Sequence, residues 1–217
     1  MERLRGILKD PAKPVHLQML AIEAIGRAKN PQDADLIKPF LRHSKPELRA
    51  EAISALVRIM GQDSVQALET LSSDSDLMVK KRWLAAIGFL AKNNAFLRAR
   101  LSQVAFNEEE LAEIRAQAIQ EMTRNLPETD EERIELQGKL LELVTQRQSF
   151  SERLRHRFKT HAEEQDKPKI AALNLLGKIG DKNSLDALSS LKLPGKEMSA
   201  KLEEAIKQLR LRLGTEK

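Results

Sequence analysis

The sequence predicts an all-α fold, a solenoid of about six stacked helix-turn-helix units. Three observations carry that expectation. The stretches LAIEAIGRA from Leu20, EAISALVRI from Glu51 and RWLAAIGFL from Arg82 read alike, and their central alanines, Ala24, Ala55 and Ala86, stand 31 residues apart. Recurrence at such a period is the mark of a repeat array. Within each copy the apolar residues fall at i, i+4, i+7, i+8 and i+11, which is helical spacing. In the second copy these are Leu48, Ala52, Ala55, Leu56 and Ile59; in the third, Val79, Trp83, Ala86, Ile87 and Leu90. No segment shows a competing two-residue alternation.

Each element follows from this frame. The second helices continue in AQAIQEMTR, anchored at Glu121, AALNLLGKI at Leu175 and KLEEAIKQL at Ala205. Shorter amphipathic segments precede them: DADLIKPFLRH (33–43), DSVQALETLSS (63–73), NAFLRARLSQVAF (94–106) and NSLDALSSL (183–191). Polar turns such as SKPE and DSD separate the two helices of a unit. A pair of helices this short cannot bury its own apolar face, so neighbouring pairs must cover it. The expected organisation is a single domain, 1–217, with repeats at roughly 1–29, 33–60, 63–92, 94–125, 128–180 and 183–213. The fifth repeat is about 23 residues too long, and an extra helix near 149–164 accounts for the excess.

An early basic position recurs in the second helices: Gln18, Arg49, Lys80, Arg115, Lys169 and Ser199. Acidic residues stand six positions before three of these, at Asp74, Glu109 and Glu163, whereas His43 precedes Arg49. With Pro39 inside a first helix, this pattern resembles HEAT repeats, in particular the short HEAT-like variety of bilin-lyase-related proteins. The resemblance covers nearly the whole chain except roughly 127–164. It implies a right-handed α-solenoid whose second helices line a concave groove. It also implies an acid–base ladder, Asp74 with Lys80 and Glu109 with Arg115, tying turns to helices. Such a fold hosts scaffolds, transport factors and lyases alike, so it does not fix an activity.

Composition narrows the chemistry. The 217 residues include no Cys and no Tyr, one Trp and six Phe. Disulfides, thiol catalysis and cysteine-ligated zinc are therefore excluded. An aromatic content of 3% is poor for reading bases by stacking. The formal charge of +5 leans mildly toward acidic partners. No run is long and apolar enough to span a bilayer, and MERLRGILKDPAKP has no secretory apolar core, so a cytoplasmic location is expected. The chain begins directly in a repeat helix and could be a segment of a longer protein. No phosphate loop, HExxH or nucleophile elbow occurs. His16, His43, His156 and His161 are the only imidazoles, with no metal-ligand spacing among them. Neither a metal nor a cofactor is expected, and the reading is non-enzymatic.

Two surfaces are candidates for a partner. One is the open stripe of the second helices. In its third repeat it carries Met78, Ala85 and Phe89, and it is flanked by Arg27, Arg58, Arg124 and Lys178. That mixture suits a peptide or protein with apolar and acidic character. The alternative for the arginines is charge compensation at helix C-termini, and for Phe89 burial under 93–106. The other surface is the basic run Arg153, Arg155, Arg157 and Lys159. It is either a solvated helix face or a contact for nucleic-acid phosphates or an acidic protein. A lyase or chaperone-type reading rests on fold resemblance alone. Trp83 shares its column with Ala21, Ala52, Ala118, Ala172 and Leu202, so it is expected to be core.

Overall fold

The computed structural model describes residues 1–92, 94–146 and 162–215. All regular structure among them is helical. The chain divides into two compact units, Met1–Leu97 and Arg98–Lys217.

In the first unit, α1 (Glu2–Lys9) packs on α2 (Val15–Ala28), α2 on α4 (Pro46–Met60), and α4 on α6 (Leu77–Leu90). The second helices of successive repeats thus form one layer. The first helices of the second and third repeats are much shorter. Ala34–Ile37 (α3) and Val65–Leu68 (α5) are single α-turns, each flanked by 3₁₀ turns. Pro39 at the start of the 3₁₀ turn Lys38–Arg42 lacks the N–H that would continue the α-helix. Local signals set the helix starts. Pro46 opens α4, and the Asp76 carboxylate accepts from the Met78 and Val79 N–H groups to cap α6.

The second unit contains most of α7 (Ala95–Phe106), with α8 (Ala112–Arg124), α9 (Asp130–Thr145), α10 (Ala162–Ile179), α11 (Lys182–Ser189) and α12 (Lys196–Leu213). Here α8, α10 and α12 are the stacked second helices, and α9 packs on α10. The expected extra helix at 149–164 falls mainly on 147–161, which lie outside the described residues; 162–164 open α10. Thr129 caps α9 at the Glu132 N–H, while the Glu132 carboxylate accepts from the Glu128 N–H.

The core follows the columns of the repeat. Ala21, Ala52, Trp83, Ala118 and Ala172 are buried, as are Ile22, Ile53, Leu84, Ile119 and Leu173 beside them. Trp83 is therefore a packing residue. Gly26 explains one close approach: a Cβ there would stand 2.8 Å from both Cα and Cβ of Ala55 on α4. Only a glycine lets α2 and α4 meet at that point.

Candidate functional site

The candidate site in the first unit is the outward row of α6 and its neighbours on α2 and α4. Residues 78, 82, 85 and 89 are spaced i, i+4, i+7 and i+11, so they share one helix face. All four are exposed, Met78 at 49% and Phe89 at 73%. Phe89 is thus uncovered within its own unit. Leu77, Met78, Lys81, Arg82 and Ala85 line a shallow depression of about 430 Å³. Phe89 lies one turn beyond it. Leu77 and Phe96 add exposed apolar surface to the unit.

The equivalent rows on α2 and α4 are polar. Arg27 is paired with Glu23 at 2.7 Å, and Arg58 stands 3.8 Å from Glu51. Both arginines are thus wholly or partly neutralised on their own helices, close to the C-terminal ends where positive charge is favoured. Arg82 differs. Its Nη1 donates to the Ser54 hydroxyl at 3.2 Å, and among the described residues no carboxylate partners it. Its column otherwise holds Leu20, Glu51, Gln117, Ala171 and Lys201, too mixed to mark Arg82 from the sequence.

In the second unit Arg124 and Lys178 are exposed near the ends of α8 and α10. Arg124 binds Glu121 at 3.0 Å. Glu121 is itself buried, at the anchor position where other repeats have Ala or Leu. Burial pushes its carboxyl above the ordinary glutamate value, and the charge and hydrogen bonds of Arg124 oppose this only in part.

The basic column turns out to be a donor column. Gln18 Nε2 donates to the Asp10 carbonyl, Arg49 Nη1 to His43, Arg115 Nε to Ala105, Lys169 Nζ to Gln146 and Ser199 Oγ to Leu193. Each reaches a carbonyl at the end of its repeat's first helix or in the turn that follows, where backbone acceptors have no helical partner. Gln18 and Ser199 break the charge pattern but keep the donor. Asp74 pairs with Arg49 of the preceding repeat, and the charge of Lys80 also favours its carboxylate. Glu109 is exposed. His43, in the place of an acid, stacks on Phe40 with ring centroids 5.9 Å apart and accepts from the Lys45 N–H.

Arg153, Arg155, Arg157 and Lys159, with His156 and His161, lie outside the described residues. Among the described residues no group of His, Asp or Glu is placed to hold a metal ion, and no helix is long and apolar enough to cross a membrane.

Residues 1–88 match the family model of HEAT repeats. Solved structures place the whole chain in the same fold class. A designed armadillo repeat protein is 16% identical, with 95% of this chain covering 98% of that one at a TM-score of 0.52. An engineered protein is 14% identical, with coverages of 97% and 98% and a TM-score of 0.54. A second engineered protein is 16% identical, with 98% of both chains covered at 0.50. These identities speak to fold alone. No curated protein matches the sequence.

Proposed function

We propose that this protein, a helical-repeat chain of the HEAT and armadillo type, is a non-enzymatic scaffold that holds a protein partner against the outward face of its second helices. The observation that carries the reading is Phe89. An aromatic ring exposed at 73% in a column otherwise held by Arg27, Arg58, Arg124, Lys178 and Gln208 has no packing role in its own unit. Exposed apolar surface rimmed by polar residues marks an interaction site. Met78 and Ala85 extend it along α6, and a flexible thioether adapts to varied partner shapes. Arg82, on the same row and with no carboxylate partner among the described residues, favours a partner with acidic character, oriented by electrostatic complementarity.

The test compares wild type with Phe89→Ala, both in the full chain. Nuclease-treated extract from the source organism supplies candidate partners, which are then identified and titrated individually. A protein that survives nuclease and loses about 2 kcal/mol or more of affinity to Phe89→Ala, at unchanged melting temperature, supports the reading. Equal capture by both chains, or capture that disappears with nuclease, removes it.

A further inference from the structure

We propose that Arg82 is the specificity-determining residue of this face, and that the face takes an acidic amphipathic helix whose carboxylate meets the Arg82 guanidinium beside Ser54. This rests on the reading of the α6 row as a partner surface and names the partner's chemistry.

The charge pattern singles out Arg82. Three rows of the first unit present the residues His16, Leu20, Glu23 and Arg27; Glu47, Glu51, Ser54 and Arg58; and Met78, Arg82, Ala85 and Phe89. Arg27 has Glu23 four residues before it, at 2.7 Å, and Arg58 has Glu51 within 4 Å. Around Arg82 the same-face positions four before and three and four after are Met78, Ala85 and Ala86, so its own helix offers no acid. Across on α4 the nearest polar atom it uses is a neutral hydroxyl, Ser54 Oγ. The guanidinium carries five N–H donors and one is engaged in this way. A planar fork with a hydroxyl at its side matches a carboxylate in two-pronged geometry. Apolar surface lies on both sides of it, at Met78 and at Ala85 and Phe89, which suits an acid set between apolar residues better than a run of phosphates.

The partner's backbone must be satisfied as well. An extended peptide brings unpaired N–H and C=O groups to the surface it covers, and side-chain amides, which both donate and accept, receive them best. None of the twelve residues in these three rows is Asn or Gln. A helix arrives with its backbone bonds already made. From Met78 to Phe89 the row runs about 16 Å at 1.5 Å per residue, or about three turns of a partner helix lying along α6. Such a partner needs apolar residues near both ends of this span and an Asp or Glu between them.

The test is a selection from a displayed library of helix-forming peptides about four turns long, carried out on the full chain as wild type, Arg82→Glu and Phe89→Ala. Circular dichroism and melting temperature check each fold, and Arg82→Gln replaces Arg82→Glu should the latter misfold. Wild type is expected to enrich Asp or Glu at helical spacing from apolar residues. Arg82→Glu should bind those peptides at least about tenfold more weakly, and should itself select Lys or Arg at the same place. Arg82→Gln should show the weakening without the reversal. Peptides that depend on Phe89 but ignore Arg82 overturn this inference and leave the scaffold reading standing. Binding indifferent to both residues overturns both. Concentration-dependent self-association in sedimentation that Phe89→Ala abolishes makes the face an interface between copies, and overturns the acidic-helix partner.

Discussion

Arg49, at the start of α4, holds Asp74 in the turn before α6 through two bonds of 2.8 Å, Nε to Oδ2 and Nη2 to Oδ1. The same guanidinium donates through Nη1 to the His43 and Ser44 carbonyls. One side chain therefore closes the turn of its own repeat and grips the turn of the next. Both partners are largely buried, with side chains 14% and 8% exposed. Asp74 Oδ1 also accepts from the Asp76 N–H, and Asp76 in turn caps α6. The register of the α6 row, and so of Met78, Arg82 and Phe89, is anchored through this chain of bonds.

Asp74→Ala should therefore cost about 3 kcal/mol of stability, because it strands a buried guanidinium. Arg49→Lys should lose part of that, since an ammonium cannot reproduce the two-pronged contact. Denaturant unfolding measures both. Burial alone would raise the Asp74 carboxyl, but the hydrogen bonds from Arg49 and the Asp76 N–H, with the charges of Arg49 and Lys80, hold it below the ordinary value. A carboxyl lowered in the folded state adds stability above its unfolded value, about 3.9, and loses it as pH falls through the folded one. The gap between wild type and Asp74→Asn should be widest near neutrality and should close in acid. A gap independent of pH would show that the ion pair contributes nothing.

Glu121 has the opposite sign. Burial raises its carboxyl, so the folded state favours the protonated form. That contribution is complete below the unfolded glutamate value and is lost as pH rises through the folded one. Glu121→Gln mimics the neutral form and should be the more stable protein at neutral pH, with the advantage shrinking toward about pH 4, near the unfolded glutamate value. Lower stability of Glu121→Gln at neutral pH would mean that the Arg124 bond outweighs the burial.

The fold was legible because the repeat writes its core twice, as a period of 31 residues and as helical spacing within it. Column reading placed Trp83 with Ala21, Ala52, Ala118, Ala172 and Leu202, and each is buried. It reached Phe89 by the same route, as an apolar residue in a polar column. It misread the column of Gln18, Arg49 and Ser199 as a matter of charge, because a backbone carbonyl that needs a donor leaves no trace in the sequence. Arg82 escaped for a related reason. What distinguishes it is that, among the described residues, no carboxylate pairs with it, and that is a property of its surroundings in the fold rather than of one position.

Gly26→Ala tests the packing of α2 on α4. In an isolated helix the change would be favourable by roughly 1 kcal/mol. Here the new Cβ would stand 2.8 Å from the Ala55 Cα, a backbone atom that cannot turn aside. Overpacking of this kind costs about 1–3 kcal/mol. The expected outcome is net destabilisation in thermal melts. Ala55→Gly in the same chain should restore only part of the loss, since the backbone of residue 55 still stands in the way. A more stable Gly26→Ala would show that the two helices can move apart freely.

The last prediction sets two aromatic residues of one helix against each other. Trp83 and Phe89 are six residues apart on α6, about 600° around the helix and so on widely separated faces. Trp83 is 1% exposed and Phe89 73%. Trp83→Ala should open a cavity and cost about 3–5 kcal/mol. Phe89→Ala should change stability by no more than about 0.5 kcal/mol, the range of an ordinary surface substitution. Equilibrium unfolding of the full chain gives both numbers, and fluorescence of the single Trp supplies the signal for the second. The contrast depends only on which way α6 faces. A rotation that buried Phe89 would raise its cost to a core value and remove the apolar centre of the candidate site, and the α6 row would then offer a partner little besides Arg82.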